Sequence, residues 1–296
     1  MNDVLAHPLG PLPWAIANGD GTLRKTNKAK LAKELEKNAT PAETMPRPSA
    51  CIIDGMGLVQ KLSGNNKTFA ELAKLALSKV LHDGAQSCRI DVVFDVYLEE
   101  SIKNAERCNR GSGSGIQFKQ IIPGHKIKQW RKFLDSSNNK SSLISFLVDE
   151  WKSKVNREKL SNKTLYVTNK EACYRIGPEG WEDITDLTSS QEEANTRMLL
   201  HTLHASKQGH KSIIIVSEDT DVFILCLAFN KEIASPLYMK CAMQNRTRYL
   251  DITKLASAIG DGVCQALVGL HAFTGCDSVS VFTGRGKLWA LREIGT

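Results

Sequence analysis

The chain has 296 residues, 42% of them hydrophobic and 24% charged, with a formal net charge of +7. That is an ordinary balance for a soluble globular protein with a sizeable core. No apolar run approaches the roughly 20 residues a membrane span needs, and the opening M-N-D-V-L-A-H-P-L-G-P lacks the basic and apolar blocks of a secretory signal. The eight cysteines form no C-x-x-C pair, and several, such as Cys226 and Cys264, lie inside apolar runs. They read as reduced core thiols of an intracellular protein. The positive excess suits a polyanionic partner, and its distribution along the chain says more than its sum.

Residues 1–48 read as an extension. Proline and glycine dominate Pro8 to Gly21, Leu23 to Lys37 is lysine-rich with one short helix, and a second proline cluster closes at Pro48. Such composition predicts a poorly packed arm with a basic helix. The first core strand comes next, Ala50 to Ile53, and ends on Asp54 with glycines to turn the chain. Phe69 to Leu81 has the spacing of an amphipathic helix. Ile90 to Phe94 is a second buried strand, and it ends on Asp95.

Between Ser101 and Lys132 there are eight Lys and Arg and one acid, Glu106. Lys103, Arg107 and Arg110 recur at near-helical spacing and could form one basic face. The window reads as a solvated helix or as a phosphate-contacting segment. The Gly111 to Gly115 tract is a flexible joint; with no G-K-[ST] after it, it is not a P-loop. Trp130 and Phe133 read as core. Leu143 to Val155 is an amphipathic helix, Leu165 to Thr168 a strand, and Cys173 to Ile176 with Trp181 a small hairpin. Ser189 or Ser190 with a glutamate three positions on forms a capping box, which predicts a helix start there. Glu193 shares a face with Leu200 and Leu203, so its carboxylate is expected on the buried side. His201 and His204, three apart, could chelate zinc with Cys264 or Cys276, but no cysteine pair has finger spacing, and they read as plain helix residues.

Ile213 to Leu227 reads I-I-I-V-S-E-D-T-D-V-F-I-L-C-L, an apolar run broken by acids and then resumed. A continuous β-branched run predicts a buried parallel strand. Acids at its end lie at the carboxyl edge of the sheet, where open α/β folds bind ligands. In an extended segment Asp219 and Asp221 would point the same way and Glu218 away. Two such carboxylates are costly unless a cation neutralises them, and magnesium favours oxygen ligands. The other reading is a strand-to-helix turn capped by Ser217 or Asp219. Beyond it come a strand at Pro236 to Cys241, helices at Ile252 to Ile259 and Val263 to Phe273, and Thr274-Gly275-Cys276-Asp277. The last piece holds Gly284-Arg285-Gly286-Lys287, a glycine-turned segment of the kind that can bind phosphate.

The ordered acids Asp54, Phe94-Asp95, Glu193-Ala194, Ser217-Glu218-Asp219-Thr220-Asp221 and Thr274-Gly275-Cys276-Asp277, with Gly284 to Lys287 after them, resemble the flap-endonuclease/XPG type of 5′ nuclease. That type is a branch of the PIN-like fold. The resemblance runs over roughly residues 49 to 296 in motif order. It implies an α/β fold with a mainly parallel central sheet and helices on both faces. It also implies a nuclease domain over 49–273 with a basic helical arch inserted at about 97–135, and a helix-hairpin-helix-like element from 274. The implied activity is phosphodiester hydrolysis of DNA or RNA, at a flap or 5′ end among other sites, with two Mg²⁺ or Mn²⁺ ions roughly 4 Å apart. Asp54, Asp95 and Glu193 would hold one ion, with Glu192 as a substitute ligand, and Asp219, Asp221 and Asp277 the other. Lys103, Arg107 and Arg110 would steer the scissile phosphate, and Gly284, Arg285, Gly286 and Lys287 would anchor the duplex backbone. A nucleic-acid partner makes the nucleus one candidate compartment; nothing calls for a small-molecule cofactor.

The chain departs from the family pattern. Gln191 stands at the first position of the alternating glutamates, Asn195 lies two positions beyond Glu193, and the family's G-S-D is G-C-D. A long extension replaces the short N-terminus. These departures keep a second expectation open, a catalytically weak or inactive PIN-like scaffold that binds nucleic acid.

Overall fold

A computed structural model describes residues 12–37, 39–97, 118, 120–243, 246–276 and 279–294. Its strands are β1 (Ser49–Asp54), β2 (Arg89–Val93), β3 (Thr164–Asn169), β4 (Ala172–Ile176), β5 (Trp181–Asp183), β6 (Ser212–Val216), β7 (Leu237–Met243) and β8 (Arg246–Asp251). They form one sheet in the order β5-β4-β3-β2-β1-β6-β7-β8. The inner strands β3, β2, β1, β6 and β7 run parallel, and antiparallel hairpins close both edges. The apolar runs are the parallel strands because a strand covered on both faces needs no polar alternation.

The helices are α1 (Lys28–Glu36), α2 (Gly55–Gln60), α3 (Phe69–Asp83), α4 (Trp130–Leu134), α5 (Ser137–Lys152), α6 (Lys154–Arg157), α7 (Ala194–Lys207), α8 (Thr220–Ala228), α9 (Ile252–Ile259), α10 (Asp261–Phe273) and α11 (Lys287–Ile294). They cover the sheet on both faces, as expected for parallel strands joined by crossovers. On one face Cys51, Ile53, Ile90, Val92, Leu165 and Val167 meet α3 and α5, which are themselves tied by Trp151 Nε1 donating to the Ala73 carbonyl at 3.3 Å. On the other, Ala50, Ile52, Val93, Ile213 and Ile215 meet α7, α8, α9 and α10. Trp130 and Phe133 are buried and stacked on each other, with ring centroids 5.5 Å apart. Among the described residues no single helix is long and apolar enough to cross a membrane. Burial pushes the Cys51, Cys173 and Cys226 thiols up to about 12, so they stay protonated core residues.

Two features differ from the sequence-based expectation. The described part of the N-terminal extension packs on the domain. Leu31 and Leu35 of α1, four apart, are buried in the core against α8 and α11, leaving Lys33 between them outside. Val281 N donates to the Arg24 carbonyl at 3.0 Å and Thr283 N to that of Ala15 at 2.8 Å, pairing this segment with the chain's last stretch. Second, α7 begins at Ala194 rather than near Ser189, whose hydroxyl closes only a local turn with Gln191 N. Its buried face carries Ala194, Arg197, Met198, His201, Thr202 and Ala205, while Leu200 and Leu203 are half-buried. Arg197 is tolerated inside because its guanidinium donates to the carbonyls of Lys170, Glu171, Ala172 and Leu187, clamping the β3–β4 turn.

His201 and His204 belong to a polar layer under the same helix. Arg89 and Asp91 point to one side of β2 and make two bonds, at 2.7 and 2.6 Å. His201 Nδ1 lies 2.7 Å from Asp91, and Arg89 reaches His204 Nδ1 and Gln208 Oε1, each at 2.9 Å. Burial opposes the ionised Asp91 carboxylate, but Arg89 and His201 outweigh it and hold the carboxyl below its usual range. Burial lowers His201, so the ring is neutral and donates from Nδ1. These histidines are therefore structural rather than zinc ligands; among the described residues no three His, Cys, Asp or Glu side chains are grouped to hold a metal ion.

Two stability measurements test this packing. Leu31→Ala is expected to cost about 2–5 kcal/mol in urea denaturation, as for a core leucine, whereas a solvated arm would give a change within about 0.5 kcal/mol. Asp91→Ala is expected to cost about 3–5 kcal/mol, because it leaves the Arg89 charge buried and unpaired. A smaller loss would mean that Arg89 finds water.

Candidate active site

The carboxyl ends of β2, β1 and β6 lie side by side. Each end carries an aspartate, and each aspartate holds the start of a helix. Asp54 ends β1 and its Oδ1 accepts from Gly57 N at 2.8 Å, capping α2. The turn is tight enough to need its glycines. A Cβ on Gly55 would lie 2.4 Å from the Phe94 ring, and one on Gly57 would lie 2.9 Å from Asp54 Oδ2. Asp95 comes just after β2 and accepts from Ala194 N at 2.8 Å, so it caps α7 from across the sheet. Asp219 caps α8, accepting from Asp221 N at 2.9 Å. Ser217 joins two of the acids: its hydroxyl reaches Asp54 Oδ2 at 3.4 Å and accepts from Asp219 N at 3.1 Å.

Asp54, Asp95 and Asp219 line one cavity of about 670 Å³, together with Asn195, Glu218 and Lys61. Burial raises the Asp54 carboxyl above its ordinary value despite the Gly57, Met56 and Ser217 bonds that pull it down. Burial also raises Asp219, and the charges of Asp221 and Asp54 add to the rise. Ionised carboxylates gathered in a cleft are costly unless positive charge is supplied.

Asp221, Glu192 and Glu193 are not among the residues that line this cavity. Because α8 starts at Thr220, Asp219 and Asp221 sit at its cap and in its first turn, not in an extended segment. Asp221 turns to Lys28 Nζ at 2.9 Å and to His271 Nε2 at 2.8 Å. Those two groups outweigh burial and hold its carboxyl well below the usual range. Glu218, expected to face away, lines the cavity and pairs with Lys61 at 2.9 Å. Glu192 and Glu193 are half-buried at the α7 start, where the Glu192 carbonyl accepts from Val96 N at 2.7 Å, and their neighbours Ala194 and Asn195 line the cavity. Asp277 and the basic residues Lys103, Arg107 and Arg110 lie outside the described residues.

The glycine-turned segment near the end divides. Gly284 has φ +75°, a conformation that favours glycine, and exposed Arg285 lies over the Trp289 ring at 4.2 Å. Lys287, expected to face a phosphate, is buried instead. Its ammonium donates to the carbonyls of His271 at 2.9 Å and Gly275 at 2.7 Å and to Thr274 Oγ1 at 3.2 Å, closing the end of α10. Burial pushes it down to about 8.

A second cavity of about 770 Å³ shares Gln60 and Lys61 with the first and is lined by Lys128, Arg131, Lys132, Lys140 and Asp135. It is strongly basic, and Lys128, Arg131 and Lys132 are exposed. Sequence reasoning does not single out Lys28, His271 or the bridging role of Ser217. Lys28 is one lysine among many in a basic helix, and no local pattern pairs it with Asp221.

No protein-family model matches the sequence, and no curated protein sequence does. Among solved structures, the catalytic core of Rad2 in complex with DNA substrate is similar over 90% of this chain and 67% of that chain, with TM-score 0.50 and 11% identity. At that identity the likeness is one of fold. The mainly parallel sheet covered by helices, with three acids at its carboxyl edge, shares the α/β fold of that catalytic core.

Proposed function

We propose that the chain is a metal-dependent nuclease of the flap-endonuclease/XPG type, acting on DNA or RNA. The observation that carries this reading is the meeting of Asp54, Asp95 and Asp219 in one cleft that opens beside a basic cavity. The Rad2 core of similar fold is described in complex with DNA substrate, which supports a nucleic-acid partner here.

The donors suit Mg²⁺ or Mn²⁺. They are hard carboxylate oxygens, and magnesium is commonly held by one or two carboxylates, with water and substrate phosphate completing its shell. As placed, no three such side chains among the described residues are grouped to hold an ion, so Asp54, Asp95 and Asp219, which line one cleft, would have to close on it; when bound it would polarise a phosphate oxygen and acidify a water. The chain's own residues do the positioning. Backbone amides of Gly57, Ala194 and Asp221 each fix one oxygen of an aspartate, so the carboxylates enter the site with their orientation set. Lys61 neutralises Glu218 beside them, and it marks the junction with the basic cavity, where Lys128, Arg131 and Lys132 would hold backbone phosphates. Trp130 and Phe133 are core residues, so this track would read charge and not bases. The second reading, a catalytically weak nucleic-acid scaffold, is favoured by one observation: Asp221 is already engaged by Lys28 and His271.

Two measurements test the proposal. With labelled flap, single-stranded and duplex substrates, Mg²⁺-dependent cleavage is expected, and Asp54→Asn or Asp219→Asn should lower it by about 100-fold or more, since the ion supplies several kcal/mol. Cleavage indifferent to both substitutions would sink the site, and binding without cleavage would select the scaffold reading. Combining Lys128→Glu, Arg131→Glu and Lys132→Glu should weaken single-strand binding and flatten its salt dependence by about 2 in log–log slope, at about 0.7 per phosphate contact. An unchanged slope would remove the basic cavity from the binding track.

A further inference from the structure

The second ion that the resemblance implies would draw on Asp221, and both oxygens of Asp221 are already engaged by cationic or N–H groups. Its Oδ2 accepts from the Lys28 ammonium at 2.9 Å, and its Oδ1 lies 2.8 Å from His271 Nε2. The lysine is not a stray surface group. It is the first residue of α1, which is anchored by buried Leu31 and Leu35. Thr26, two residues before it, is also tied down, since its Oγ1 donates to the Thr274 carbonyl at 2.9 Å. His271 is held as well, its carbonyl accepting from buried Lys287. A divalent ion at Asp221 would have to displace a fixed ammonium from a half-buried carboxylate.

Building on the metal-dependent reading above, we infer that Lys28 takes the place of the second divalent ion, so that the acid cleft holds one ion and a built-in ammonium stands beside it at Asp221. One fixed positive charge replaces an exchangeable double charge. The N-terminal segment thereby becomes part of the site, and Lys28 is a positioning residue acting through Asp221. This differs from the two-ion arrangement the resemblance implies, and the reason is the contact pattern of Asp221 itself.

Titration of the full chain with Mn²⁺, followed by electron paramagnetic resonance of the free ion, counts the sites without reference to cleavage. One bound Mn²⁺ per chain is expected for the wild type, and two for Lys28→Met, which removes the charge but keeps most of the stem. Lys28→Arg should stay at one, and Asp54→Asn should lose the wild-type ion, assigning it to the cleft. Thermal unfolding of each variant confirms that it folds; the wild-type count needs no variant at all. Two ions in the wild type, one in folded Lys28→Met, or an ion retained in Asp54→Asn would each overturn the inference while leaving a metal-dependent nuclease standing. No ion in any of the proteins would instead overturn the metal-dependent reading and this inference with it.

Discussion

Parallel pairing of β1 between β2 and β6 brings three aspartates to one cleft, and much of the surrounding structure answers that negative charge. The strands end in register on the same edge, so acids placed after them open onto one cleft. Helix starts give the first answer, because an N-terminus presents unsatisfied amides and the positive end of its dipole. Asp54, Asp95 and Asp219 each cap a helix, two of them within their own crossover and one across the sheet. Burial still raises Asp54 and Asp219, so capping offsets the charge only in part. What remains is a demand for positive charge in the cleft.

Capping and ion binding are often posed as rival explanations for an aspartate at a strand end. Here they use different oxygens. Each of the three aspartates commits Oδ1 to a backbone amide, which fixes the plane of the carboxylate and therefore the direction of its second oxygen. An acid oriented in this way loses less freedom when it takes up a ligand than one free to rotate. The cap is thus compatible with the functional reading and supplies its preorganisation.

The sheet is readable in the sequence because buried parallel strands are mostly apolar runs: Ala50 to Ile53 and Ile213 to Val216 are unbroken, Ile90 to Phe94 is interrupted only by Asp91, and each has an acid just beyond its end. The helix around Arg197 and His201 is harder to read. Its buried face carries a guanidinium and an imidazole whose partners, the turn after β3 and Asp91 within β2, lie elsewhere in the chain. Hydrophobic periodicity therefore points to Leu200 and Leu203, and the capping residues to an earlier start. Asp95 capping α7 joins residues 99 apart, and Lys28 meets Asp221 across 193. Local patterns report what a residue is suited to do; such pairings depend on which elements the topology makes neighbours.

The N-terminal segment is the clearest instance of that dependence. By composition it reads as a solvated arm, since its prolines and lysines interrupt any continuous apolar run. Two leucines four apart suffice to dock it once α8 and α11 offer an apolar surface. Docking then carries Lys28 to Asp221 at little further entropic cost, because a lysine at the first position of an anchored helix has already lost much of its freedom. The ammonium gains a carboxylate there, and the carboxylate gains a counter-ion that does not depend on metal concentration. A segment that reads as an appendage is in this way coupled to the charge balance of the cleft, through packing first and electrostatics second.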